Sequence, residues 1–171
     1  NCDSESIHVI CVASAVICHM EFTRDLHRCA PTGDTALTVR AHALAGGHSG
    51  EVINEGRGNA IKAVADVLYR LSEGGVEYAL ADYKGGVAAN AIPSDASAVV
   101  VVAAKDVDRV KATVAAAEKD FNLVYGETDP NAVFEVTPAA LPKSVLSAED
   151  TTSIVDVINL LHCGVFAMDR R

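Results

Sequence analysis

Between Thr35 and Ala43 the apolar residues Leu37, Val39, Ala41 and Ala43 alternate with Thr38, Arg40 and His42, the period-two pattern of a strand with one buried face. His42 falls on the polar face, where a solvated imidazole is expected. The period then changes. Ile61, Val64, Ala65, Leu68 and Leu71 recur three and four apart, which predicts a helix over 60–71 that stops at Gly74-Gly75. Glu77 to Lys84 reads as the next strand, closed by Gly85-Gly86, and Ala96 to Ala103 as another, whose run of four valines suits burial on both faces or a central place. Pro93 is expected to keep the loop before that strand out of the ladder. A second helix carries Val107, Val110, Val114, Ala117 and Phe121 on one side, with Asp106 as its expected cap. Ala132 to Thr137 is the last strand of the series. Strand, helix, strand, strand, helix, strand is the order of a ferredoxin-like two-layer α/β sandwich, an α+β fold with a four-stranded antiparallel sheet and both helices on one face. The helix residues Ile61, Val64, Leu68, Val107, Val110 and Val114 are expected to pack on that sheet.

The ends add to this core. Ile7 to Cys11 and Val16 to Phe22 are rich in β-branched residues and predict short N-terminal strands, followed by a charged loop from Thr23 to Asp34. Pro138 to Pro142 reads as a link. Ser147-Ala148-Glu149-Asp150 resembles a capping box and opens a C-terminal helix with the stripe Ile154, Val157, Ile158 and Leu161. Gly164 ends it, and Val165 to Met168 offer a further short strand. Residues 1–34 are thus expected to form N-terminal strands and a junction, and 35–168 the domain proper. Asn1 is not an initiation residue, so the chain is expected to be a piece of a longer one.

The strand from Thr35 and the helix from Ala60 are joined by a segment with five glycines in the thirteen positions 46–58, including Gly46-Gly47-His48-Ser49-Gly50 and Gly56-Arg57-Gly58-Asn59-Ala60. So many glycines oppose regular structure and predict a shaped loop. Its one imidazole is His48. A net charge of -9 argues against nucleic-acid phosphates as a partner. The longest apolar stretches, Val9 to Cys18 and Ala98 to Ala104, fall far short of the roughly 20 residues that cross a bilayer, so no membrane partner is expected. The five cysteines are odd in number and form no C-x-x-C pair, which favours reduced thiols in the cytoplasm over a disulfide framework or a zinc knuckle. His8, His19, His27, His42 and His162 lack metal-ligand spacing and read as ordinary surface or structural residues.

The wording of several segments narrows the function. GGHSG and GRGNA, Asn90-Ala91-Ile92-Pro93, the Leu-Ser-x-Glu-Asp-Thr run at 146–151 before Gly164-Val165, and the opening Asn1-Cys2-Asp3-Ser4-Glu5 together resemble the lid, or dimerisation, domain of the aminoacyl-histidine dipeptidases. These are also called Xaa-His or cytosolic non-specific dipeptidases, two-zinc metallopeptidases related to carnosinase and peptidase T. The resemblance implies a lid inserted between the halves of a zinc-peptidase catalytic domain absent from this chain, and a homodimer that hydrolyses dipeptides in the cytoplasm. By the motif matches Asp3 is a zinc ligand, His48 the lid histidine that reaches the other subunit's substrate site, and Asn90 a contact to the substrate's carboxylate or carbonyl. With one such ligand the chain alone is expected neither to hydrolyse dipeptides nor to hold zinc tightly. Departures are Ile10-Cys11-Val12-Ala13-Ser14 for the family's Gly-Cys-Ala-Gly-Gly, Ala89 and Ser94 for two arginines flanking Asn90-Ala91-Ile92-Pro93, and Asn54 for a histidine. Two other readings stay open from the residues themselves: a non-catalytic dimerisation module, and a small-molecule regulatory domain of ferredoxin-like type.

Overall fold

The computed structural model describes Cys18 and residues 20–167; Asp3 and the expected strand Ile7 to Cys11 lie outside the described residues. In chain order the elements are β1 (Arg28–Cys29), β2 (Thr35–His42), β3 (Gly47–His48), α1 (Ser49–Val52), α2 (Ala60–Glu73), β4 (Tyr78–Gly85), β5 (Ala91–Ile92), β6 (Ala96–Val102), α3 (Val107–Tyr125), β7 (Val133–Ala139), β8 (Val145–Leu146) and α4 (Ala148–Leu160). Single 3-10 turns, Ile53–Glu55 and Ala104–Asp106, precede α2 and α3.

The main sheet has the order β4-β6-β2-β7 and every pair in it is antiparallel. This is the ferredoxin-like α+β sandwich that the strand and helix order predicts. The valine run of β6 lies between β2 and β4, with Val100 and Val102 buried under the helices and Val101 buried with Val145 on the opposite face, so it is both central and buried on its two sides. Leu37, Val39 and Ala41 of β2 and Ala98, Val100 and Val102 of β6 share one core with Val64 and Leu68 of α2 and Val110 and Val114 of α3. Ile61 and Val107 pack against it partly buried. Both helices therefore cover one face of the sheet, and the apolar periodicity marks which side of each element turns inward.

Differences gather where polar groups set the geometry. The described part of the expected strand Val16 to Phe22 has no strand pairing, and Phe22 and Met20 are exposed; β-branched content alone supplies no partner. The charged loop after it contributes β1, which pairs with β8. Asp106 does not cap α3 with its side chain. Instead its Oδ1 accepts from Arg109 Nη1 at 2.8 Å. The chain does not leave the sheet at Pro138, which stands opposite Leu37 in edge strand β7, a position that tolerates a residue without an N–H. Val165 to Ala167 form no strand.

The C-terminal helix α4 starts on its expected cap, Ser147 Oγ accepting from Asp150 N at 3.1 Å. Its inward side keeps only part of the predicted stripe, with Ile154 packed partly buried against the core. Thr151 and Val155 are buried, whereas Val157 and Leu161 are exposed. A hydroxyl explains the rotation, since Thr151 Oγ1 accepts from Leu80 N of β4 at 3.3 Å, and a hydropathy pattern does not anticipate a threonine turned inward. At the other end Lys62 Nζ donates to the carbonyls of Ile158, Asn159 and Leu161 at 2.6, 2.7 and 2.8 Å, a cation at the negative end of the helix.

Asp150 ties the N-terminal segment to α4. Its fully buried carboxylate accepts from His27 N and from Arg24 Nη2, each at 2.7 Å, and from Ser147 Oγ at 3.1 Å. The His27 amide above all, with Ser147 and Arg24, holds this carboxyl below its ordinary value of 3.8 against the opposing effect of burial. A depressed carboxyl contributes stability that is present above the ordinary value and lost as pH falls through the folded one. Urea midpoints of the wild-type chain should therefore drop between about pH 5 and pH 2. Asp150→Asn should be less stable near neutrality and flatter over that range; parallel curves for the two proteins would exclude this role.

Candidate functional site

After β2 the chain turns at Ala43, in the left-handed region at φ 59°, and Leu44 N donates to Ser94 O at 3.3 Å. Gly46 and Gly47 follow at φ 60° and 120°, conformations that side chains oppose. At Gly47 there is also no room, because a Cβ would stand 2.7 Å from Arg57 Nη1 and 2.7 Å from Val52 Cγ2. These two glycines set the chain against the loop of Asn90-Ala91-Ile92-Pro93. Gly47 pairs with Ile92 and His48 with Ala91 in the β3–β5 ribbon, Ser49 N donates to Asn90 O at 2.8 Å and Ala60 N to Pro93 O at 2.9 Å. The two motif loops, some forty positions apart in sequence, thus form one surface. This corrects one expectation, since the glycine-rich segment does contain a short strand and the helical turn α1, while the loop before Pro93 stays out of the main ladder as expected and pairs only with β3. Two-residue pairings need only local partners, which the composition of either loop does not reveal.

His48 is exposed and caps α1, its Nδ1 accepting from Gly50 N at 3.2 Å. An accepting Nδ1 puts the proton of the neutral ring on Nε2, which has no partner among the described residues. The ribbon therefore offers an outward N–H donor. Asn90 is exposed, and its backbone is fixed opposite Ser49. His48 and Asn90 are brought together; Asp3 lies outside the described residues.

The sequence reading missed what holds the ribbon. Arg57 Nη1 donates to Gly46 O at 2.6 Å, while its Nε and Nη2 reach Glu55 Oε2 at 2.9 and 2.7 Å. Asp129, 1% exposed, accepts from Ala45 N and Gly58 N, each at 2.7 Å. A side chain on Gly58 would collide with the ring of Phe121, so only glycine brings that amide to the carboxylate. The sequence offers a faint signal for Asp129, an acid just before a proline between helix and strand, and nothing that names its partners.

On the face of the sheet away from α2 and α3, where Val145 of β8 packs on Ala36, Ala81 and Val101, Arg40 pairs with Asp95 and, at 3.5 Å, with Glu135. Arg40 holds the Asp95 carboxyl below its ordinary range. His42 is not solvated as expected: its Nε2 is buried, 3.4 Å from Glu135 Oε1 and outside hydrogen-bond geometry. A cleft of about 940 Å³ runs along α2 beside the ribbon, but neither His48 nor Asn90 lines it. Its cations are all engaged, Lys62 by the end of α4, Arg57 by Glu55 and Gly46, and Arg70 by Asp66 and Asp120. Among the described residues no three His, Cys, Asp or Glu side chains form a group that could hold a metal ion.

The described residues thus form a ferredoxin-like sandwich that presents an imidazole on a clamped ribbon. Residues 41–129 match the family model described as the peptidase dimerisation domain, and the chain belongs to that family. Self-association is what such a domain provides. The chain is 31% identical over 149 residues to the cytosol non-specific dipeptidase of Escherichia coli strain K12, covering 85% of this chain and 30% of that protein. It superimposes on the aminoacylhistidine dipeptidase of Vibrio alginolyticus with a TM-score of 0.81 at 27% identity, over 86% of this chain and 30% of that one. The chain thus spans about a third of the length of these relatives, and it is similar to their dimerisation part; the rest of their length has no counterpart in it.

Proposed function

We propose that this chain is the lid and dimerisation domain of a zinc-dependent dipeptidase that hydrolyses Xaa-His-type dipeptides in the cytoplasm as a homodimer. Residues 1–34 form the junction to a catalytic domain, 35–168 the lid, and Asp3 is one ligand of a two-zinc site whose other ligands lie in that catalytic domain. The observation that carries the reading is the β3–β5 ribbon, which joins the two motif loops and exposes His48 beside Asn90. His48 donates from Nε2 to the carbonyl oxygen of the scissile bond in the facing subunit, where negative charge develops during attack, and Asn90 binds the substrate's carboxylate or carbonyl. The motif wording and the names of the two relatives support the substrate class.

The test is the full-length protein. It should release the free amino acids from Xaa-His dipeptides, lose that activity on dialysis against a chelator and regain it with zinc. A full-length protein that dimerises but leaves all such dipeptides intact, with or without zinc, would support the non-catalytic module instead.

A further inference from the structure

Asp129 stands apart from the other buried carboxylates. Asp150 and Asp106 each face an arginine, whereas among the described residues the donors to Asp129 are all neutral: Ala45 N, Gly58 N and, at 3.1 Å, Thr128 Oγ1. A carboxylate buried to 1% exposure without a cation is costly, and its two strongest contacts go to amides on either side of the His48 ribbon. One oxygen serves one foot of the loop and one the other. The residue itself is fixed at the end of α3, its N–H donating to Tyr125 O at 2.7 Å and its carbonyl accepting from Ala132 N at 3.1 Å. The Asp129 carboxylate therefore ties both feet of the loop to the end of α3, and Thr128 Oγ1 adds one weaker bond to Gly56 O at 3.4 Å.

We propose that Asp129 is the positioning residue for His48, setting the height and angle of the ribbon by holding both of its feet. This rests on the role given to His48 above. Asparagine at 129 is nearly isosteric, yet its NH2 would face one of the two amide N–H groups, so a foot is released while the volume stays filled. A small misplacement of a reacting group costs rate more than binding.

Two arms test it. In the full-length protein, Asp129→Asn should lower kcat about tenfold with little change in KM, and dimerisation and zinc content should be unchanged. In a His48→Ala background the same substitution should change kcat less than twofold, because the residue it positions is already gone. Equal losses in both backgrounds would overturn the proposal. The second arm uses the 171-residue chain and amide hydrogen exchange. Asp129→Asn should speed exchange at Ala45 or Gly58 at least tenfold while Val39 and Val100 exchange as before; uniform acceleration would mark general destabilisation and also overturn it. If Asp129→Asn does not fold, Thr128→Val, which keeps the carboxylate and removes its third donor together with the weak bond to Gly56 O, takes its place in both arms with a severalfold effect and the same two overturning outcomes. Full activity of His48→Ala would instead sink the role of His48, and the exchange arm would still decide whether Asp129 orders the ribbon.

Discussion

Replacing His48 by alanine in the full-length protein is expected to lower kcat for dipeptide hydrolysis about a hundredfold, with zinc content and dimerisation unchanged. The magnitude follows from the position of the donor. When a peptide carbonyl is attacked its oxygen gains negative charge, and one preorganised donor at that oxygen is worth roughly 3 kcal/mol. His48 qualifies structurally because the Gly50 amide occupies Nδ1 and leaves the Nε2 proton facing out, and because Arg57 and Asp129 hold the loop that carries it. A donor used only as charge develops affects kcat and kcat/KM together. His48→Gln, which keeps an N–H donor on a more flexible stem, should recover part of the loss. Full activity in His48→Ala would mean that the imidazole only caps α1.

Leu68→Ala should be the most damaging single truncation in the core, costing roughly 2–5 kcal/mol. Leu68 is fully buried on α2 and belongs to the core that α2 and α3 form with β2 and β6. The core cluster it belongs to includes the β-branched, rotamer-limited Val39, Val100 and Val110, so that core closes poorly over a cavity. For a chain of this size that loss corresponds to a melting temperature lower by on the order of 10 °C. Leu123→Ala at 77% exposure on α3 is the control, with an expected change within about 0.5 kcal/mol. Equal urea midpoints for Leu68→Ala and wild type would mean that the helices do not pack on this sheet as described.

How much of this was legible follows from the kind of interaction at each place. The valine run at 99–102 marks the central strand because its residues turn alternately to the helix-covered face and to the face on which Val145 of β8 packs, and Leu68 reads as core from its helical spacing alone. Those are one-body signals, repeated along the chain. Asp129, Thr151 and Asp106 were misread or passed over because each acts through a partner distant in sequence or turned by local geometry: Ala45 and Gly58 for Asp129, Leu80 for Thr151, and the 3-10 turn that denies Asp106 its capping role. His42 shows the same limit. Its place on the polar face is read correctly, but that face is lined by Arg40, Asp95 and Glu135, and their clustering buries the ring edge. At the site, the motif wording singled out His48 and Asn90, while the ribbon that sets them side by side depends on two-residue pairings too short to leave a periodic trace.

The central claim is that this domain lends His48 to a substrate site across a dimer, and mixing inactive subunits tests it directly. A full-length protein carrying His48→Ala and a second one disabled at its metal ligands should each be nearly inactive as homodimers. Unfolded, mixed and refolded together, they should regain activity, because the mixed dimer holds one site with intact ligands facing an intact His48; random pairing puts that arrangement in about half of the dimers, one site each. Recovery of roughly a quarter of the wild-type rate per subunit is the predicted result, and a mixture no more active than its two components would contradict the account.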